Sequence, residues 1–311
     1  MREGYKALRH GAAWINVSTR GRIAVRGRDR ARLLHNVTTN DVKKLAARSG
    51  CYAFLLTPQG RIQADLLLFA FEDHCLIDTE PELREKVIQH IRRYIVADQV
   101  TLEDVTSATA AIALEGPDAA GILAAIGAPV PAAEYHHLPW EDRFVAAVSL
   151  TGQPGFRIYL PVEAGGGIER QLGAAGAVAA ADADVRLVRI ENGRPRYGED
   201  IRETSLPQET GQMQAVSFTK GCYLGQEIVE RIRAQGHVNK QLVRLEIDAS
   251  EPPVPGTKLA AKGSEAGEIT SSVYSPEMDK VVALAYVRMP YAEPGQALNA
   301  GEFTARVTGR S

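Results

Sequence analysis

Residues 51–71 read CYAFLLTPQGRIQADLLLFAF, two apolar runs on either side of Pro58-Gln59-Gly60. Apolar run, short Gly-containing turn, apolar run is the signature of a β-hairpin. Cys51 to Thr57 forms one arm and Arg61 to Phe71 the other. The second arm holds an anomaly at Asp65. Asp disfavours strands, and a buried charge needs a partner. A period of two places Arg61, Gln63, Asp65, Leu67 and Phe69 on one face. Two readings are open. Asp65 is either a carboxylate in a pocket for the amine or amide of a ligand, or an edge-strand residue in water or paired with Arg61.

Outward from the hairpin the pattern alternates. Short strands are expected over residues 14–28, around Arg20-Gly21-Arg22. Leu33, Leu34 and Val37 then fall at helical spacing, followed by Thr38-Thr39-Asn40-Asp41, rich in capping residues. Pro81 opens a helix with Leu83, Val87, Ile91 and Tyr94 on one face. Strands are expected at 100–105 and 109–114, then a helix from Gly116-Pro117-Asp118 to Gly127. Phe144 to Leu150 and Phe156 to Leu160 flank a turn, and Gly165-Gly166-Gly167 reads as a flexible turn before a helix at Ile168. This order predicts two α+β units with mainly antiparallel sheets. Beyond Lys240 only short β-like runs recur, with Glu251-Pro252-Pro253-Val254-Pro255-Gly256 as punctuation. That predicts a small β-barrel or sandwich, and hence a division into residues 1–240 and 241–311.

Composition narrows the class. The chain has 311 residues, 45% hydrophobic and 24% charged, with a net charge of −2. That is an ordinary globular composition, with too much apolar surface for a disordered chain. A near-neutral field argues against a strongly basic nucleic-acid binder. Three cysteines, an odd and sparse set, argue against a disulfide framework and for a reducing compartment. No signal-peptide pattern opens the chain and no run approaches the ~18 apolar residues of a membrane span. A cytoplasmic monomer without membrane contact is the expectation.

Two further stretches carry chemistry. Cys222 lies in Lys220-Gly221-Cys222-Tyr223-Leu224-Gly225-Gln226-Glu227, ahead of a helix rich in Arg231 and Arg233. A helix N-terminus and a nearby lysine both favour thiolate. The alternative is a small buried hydrophobe, the usual fate of a free cysteine. The charged stretch from Arg189 to Asp200 either binds an anionic tail or is a solvated loop. His136-His137 are adjacent and face opposite ways on a strand, and Cys222 and His237 lack a ligand-pair spacing, so no metal site is expected.

These residues resemble a known family. The hairpin with Thr39-Asn40-Asp41 upstream, Gly198-Glu199-Asp200, Leu206-Pro207-Gln208-Glu209, and Gly267-Glu268-Ile269-Thr270-Ser271 resemble the T-protein (aminomethyltransferase) of the glycine cleavage system. The run from Lys220 to Glu227 resembles the signature of the YgfZ family, T-protein relatives that support iron–sulfur enzymes. The resemblance implies three lobes around a central channel, two α+β and one C-terminal β-barrel. It implies a tetrahydrofolate site drawing on Asp65, Asn40, Gln63, Arg189 and Glu209, with Asp65 and Cys222 as the catalytic candidates. There are departures. Ala64 stands where T-proteins have a first aspartate, Leu150 where they have a tyrosine, and Arg157 where they have a glutamate; T-proteins also lack a thiol at the Cys222 position. The function implied is a folate-binding accessory protein for assembly or repair of iron–sulfur enzymes, including those that modify tRNA. Its partners would be those enzymes or cluster carriers, with no direct nucleic-acid contact. The alternatives are a folate-dependent aminomethyltransferase and an interaction module that keeps the fold alone.

Overall fold

A computed structural model describes residues 2–236 and 238–311. It has two α+β lobes and a closed β-barrel. The hairpin forms as its pattern predicts. Strands Ser49–Leu56 and Ile62–Ala70 pair antiparallel, and Gly60 closes the turn at a φ of 74°, where a side chain would be strained. Ile62, Ala64, Leu66 and Leu68 are buried on one face, while Gln63, Asp65 and Leu67 are half-buried on the other. The first sheet runs in the order Ser49–Leu56, Ile62–Ala70, His74–Thr79, Gly21–Arg26, Thr101–Asp104. The Asp65 strand is therefore internal, which removes the edge-strand reading.

The second sheet has six strands in the order Val178–Ala179, Ala13–Asn16, Thr109–Glu115, Gly155–Pro161, Arg143–Ala146, His137–Trp140. Only the short Ala13–Asn16/Val178–Ala179 pair is parallel. The two lobes are not consecutive copies of one unit. The first strand, Ala13–Asn16, belongs to the second sheet, and the chain returns there at Thr109 after completing the first. Arg22 anchors that crossing. Its buried guanidinium donates to the carbonyls of Ser18, Arg20, Thr106 and Thr109.

Two local expectations need correction. Gly165-Gly166-Gly167 is not a turn but the first turn of helix Gly165–Ala174. Ile168 and Leu172 are buried beside the Thr109–Glu115 and Gly155–Pro161 strands, and that packing outweighs poor glycine propensity. The strand expected over 144–150 ends at Ala146 and pairs with His137–Trp140 in a hairpin the sequence did not announce. His136 and His137 do face opposite ways: His136 is exposed, while His137 is buried with Nε2 3.1 Å from the Ala70 carbonyl.

An apolar cluster joins the two sheets. Phe69 and Leu76 from the first meet Ala111, Ala113 and Tyr159 from the second. The third lobe is a closed six-stranded barrel in the order Lys240–Ile247, Lys280–Arg288, Ser264–Ser275, Lys258–Ala261, Ala297–Ala300, Phe303–Arg310. Val243, Leu245, Ile269, Ala283, Val287 and Val307 fill its interior. No helix among the described residues is long and apolar enough to cross a membrane.

Candidate functional site

The site grows from the half-buried face of the Asp65 strand. Asp65, Leu67 and Tyr52, from neighbouring strands of the hairpin, line a cavity of about 390 Å³ between the two α+β lobes. Tyr52 donates from its hydroxyl to Asp65 Oδ2 at 2.9 Å. Asp65 Oδ1 is buried with no hydrogen-bond partner among the described residues. Such an oxygen is costly unless something in the cavity donates to it.

The charges around it are unequally matched. Asp78 accepts from Arg20 Nε at 2.6 Å, Arg157 Nη1 at 2.8 Å and the Tyr159 hydroxyl at 2.8 Å. Glu80 is held by Arg20 and, at 2.7 Å, by Arg196. Asp65 has no cation within ion-pair distance among the described residues. Burial and the negative charge of Glu80 push its carboxyl up to about 6. Asp78 goes the other way. Burial works to raise it, but Arg157 and Arg20 outweigh burial and hold it down at about 2. Asp78 and Glu80 are thus kept ionised by their arginines, whereas Asp65 is poised near neutrality. Such a split marks acid–base assignments.

The other expected site residues have different fates. Arg189 borders the cavity, yet its guanidinium is spent internally: it donates to Asp200 Oδ2 at 2.7 Å, to the Arg194 carbonyl at 3.0 Å and to Glu199. Asp200 in turn accepts from the Thr270 and Ser271 hydroxyls of the barrel, each at 2.6 Å. The 189–200 stretch is therefore largely a bolt between lobe and barrel, and not a solvated loop. Arg194 is the cation on it that borders the cavity without an ion pair among the described residues. Asn40 stands behind the cavity wall. Its Nδ2 donates to the Tyr52 and Gln214 carbonyls, both at 2.9 Å, and so fixes the strand that carries Tyr52. Gln63 and Glu209 do not border the cavity. The Gln63 carbonyl accepts from Tyr197, and buried Glu209 accepts from the Leu206 N–H at 3.1 Å.

Cys222 is exposed, whereas Cys51 and Cys75 are buried. It does not border the Asp65 cavity. The lysine expected to favour its thiolate is committed elsewhere: Lys220 Nζ donates to the carbonyls of His35, Thr38 and Asn40. Its neighbours staple the loop down. Leu224 N–H donates to the Asn36 carbonyl, and Gly225 sits at a φ of 81° where a Cβ would meet the Thr57 carbonyl at 2.6 Å. Gly221 and Cys222 are left outside that staple. Burial pushes the Cys51 thiol up to about 12. A maleimide titration of the native protein is expected to show one fast thiol, lost in Cys222→Ser, with Cys51 and Cys75 reacting only on unfolding.

Sequence reasoning missed Tyr52, Arg20, Asp78 and Glu80. The signal for Asp78 was present. It is a carboxylate inside the apolar run Cys75-Leu76-Ile77-Asp78-Thr79, the same anomaly that singled out Asp65. Arg157 sits in an equally apolar strand, where its departure from a glutamate is balanced by Asp78.

Comparison with known proteins accords with this layout. Residues 1–220 match the GCVT N-terminal domain family and residues 240–310 the glycine cleavage T-protein C-terminal barrel domain. An aminomethyltransferase of Rubrobacter xylanophilus is 30% identical over 91% of this chain and 78% of its own. A chloroplastic protein of Arabidopsis thaliana, provisionally named a transferase, is 27% identical over 96% of this chain and 71% of its own. In structure, the glycine cleavage system aminomethyltransferase T of Bartonella henselae superposes with a TM-score of 0.91, covering 99% of this chain and 88% of that one at 22% identity. The fold is T-protein-like throughout, and the chain belongs to the glycine cleavage T-protein family.

Proposed function

We propose that the chain binds a reduced folate in the Asp65 cavity and transfers a one-carbon unit there, a reaction of the aminomethyltransferase type. The orphaned Oδ1 of Asp65 carries this reading. An N–H of a pterin is the kind of donor that oxygen lacks. A cavity of about 390 Å³ suits a ligand of that size, and Arg194, which has no carboxylate partner among the described residues, suits a carboxylate tail. A bound tetrahydrofolate supplies the amine nitrogens that accept the one-carbon unit. The chain's own part is to position and to move a proton. Tyr52 fixes one oxygen of Asp65, leaving the other to face the ligand. With its carboxyl near 6, Asp65 can both take and return a proton close to neutral pH.

The test is a tetrahydrofolate titration of wild type and Asp65→Asn, followed by assay of ammonia and methylene-tetrahydrofolate from an aminomethyl-lipoyl carrier. Saturable binding and turnover in wild type are expected, with turnover lost in the variant. Absence of folate binding would overturn the reading. The pH dependence has a definite sign. Because the ligand donates to the ionised carboxylate, affinity should hold above about pH 6 and fall as Asp65 protonates below it. The decline approaches about tenfold per pH unit, measurable by titrations from pH 5 to 8.

A second reading rests on Cys222, the exposed thiol on a stapled loop within the YgfZ-like run. On this reading the folate site serves an accessory role in maintaining iron–sulfur enzymes, including those that modify tRNA. A single cysteine cannot hold a stable cluster alone, so the thiol would act with a partner. Complementation of a bacterium lacking its YgfZ protein separates the two. Rescue of iron–sulfur-dependent tRNA thiolation by wild type but not by Cys222→Ala supports this reading, and failure of both soluble proteins removes it.

A further inference from the structure

A second cavity, of about 310 Å³, lies on the outer face of the barrel against the Arg202–Ser205 turn. Its construction is independent of the Asp65 site. Lys240 and Arg288 are directly opposed in the antiparallel ladder between Lys240–Ile247 and Lys280–Arg288. Opposed residues project on the same side with Cβ atoms about 5 Å apart, and like charges there are destabilising. Here two cations stand in that relation, and both border the cavity. Neither has a carboxylate within ion-pair distance among the described residues. The cavity's own carboxylates are already engaged. Glu268 is held by Lys258 at 2.8 Å and by Arg202 at 3.4 Å, and Glu265 lies 3.5 Å from Lys258. Glu209, the next carboxylate in this direction, is turned onto the Leu206 N–H.

Bordering cations Arg202, Lys240, Lys258 and Arg288 against Glu265 and Glu268 leave the cavity two positive charges in excess, in a chain whose net charge is −2. The cations are also positioned. Lys240 Nζ lies 4.5 Å from the centroid of the Tyr286 ring, and the Tyr286 hydroxyl is 2.9 Å from Ser205 Oγ. A sheet that keeps two opposed cations, neither with an ion-pair partner among the described residues, at the mouth of a cavity bears a cost that an anion would remove.

We propose that this cavity binds a compact dianion, a phosphomonoester or a small dicarboxylate, between Lys240 and Arg288. The concavity and its size fit a small molecule. A guanidinium beside an ammonium offers a planar fork and a point charge to the same anion. The site is separate from the Asp65 cavity and does not rest on the folate reading.

The test is calorimetric titration and thermal unfolding at low ionic strength, with inorganic phosphate and malonate as separate probes. Wild type and Lys240→Gln/Arg288→Gln are compared. Saturable binding by wild type is expected, weakened at least tenfold in the double variant and progressively by added salt. Whichever probe binds tighter identifies the source of the charge. Without any anion, Arg288→Gln alone should unfold at a higher temperature than wild type, because the opposed repulsion is gone. Tetrahydrofolate titration of the double variant should match wild type, which keeps this outcome apart from that of the Asp65 site. Equal anion binding by wild type and double variant, or no saturable binding to wild type by either probe, would overturn the proposal.

Discussion

Asp65→Asn is expected to lower folate-dependent turnover by about 10²- to 10⁴-fold, the usual contribution of a positioned acid–base group, while making the protein more stable at neutral pH. The two effects share one cause. Asp65 is a half-buried carboxylate with one oxygen unpartnered, and its carboxyl stands at about 6 against an ordinary 3.8. The native state therefore holds its proton more tightly than the unfolded chain does. Stability falls as pH rises from about 4 to about 6, and the loss is complete above that window. A shift of about two units is on the order of 3 kcal/mol at most, and water reaching the cavity reduces it to about 1–2 kcal/mol. Asparagine keeps the shape and removes the charge, so melting at pH 7 should rise by several degrees and the gain should vanish below pH 4. A variant that loses activity and stability together would mean that Asp65 is structural. Stored instability at a reactive group is the expected trade between activity and stability.

What the sequence disclosed and what it withheld follow from the range of the interactions. The hairpin was legible because Pro58-Gln59-Gly60 and two apolar runs are local signals. The barrel was legible because short strands recur without a helix between them. Asp65 was legible because a carboxylate in an apolar strand breaks the pattern by itself. The triple glycine was misread because its helical state is set by packing of Ile168 and Leu172. The assignment of Ala13–Asn16 to the second sheet depends on pairing with residues about a hundred positions away. Arg189 shows the same limit within the site. Its charge was visible, but its engagement by Glu199 and Asp200 was not. Composition shows which groups can bind an anion, whereas only the fold shows which are already taken. Arg194, five residues on, was the better candidate, and nothing local distinguished it.

The cavity exists only while the two sheets stay together, and a single carboxylate at their junction should control that. Asp78 lies on His74–Thr79 of the first sheet, and its partners Arg157 and Tyr159 lie on Gly155–Pro161 of the second. Arg157 is 1% exposed and Asp78 fully buried. Removing the carboxylate leaves a buried guanidinium without a counter-charge, since Arg20 retains Glu80 but Arg157 has no other carboxylate among the described residues. Breaking such a pair costs about 3–5 kcal/mol. Asp78→Asn should therefore melt about 10 °C lower in a protein of this size. It should also weaken any ligand of the cavity, because Arg20 and Arg157 both border it. Acid should reproduce the effect in wild type. Asp78 is held down at about 2, so its contribution is present above about pH 4 and disappears as pH falls toward 2. Adding Arg157→Met to Asp78→Asn should restore part of the loss, because an apolar side chain of similar length can fill the site without a charge to satisfy. The double-mutant cycle decides the matter: a coupling of about 1–3 kcal/mol is expected for residues in contact. Simple additivity would mean that the apolar cluster around Phe69 and Tyr159 holds the sheets together without the ion pair.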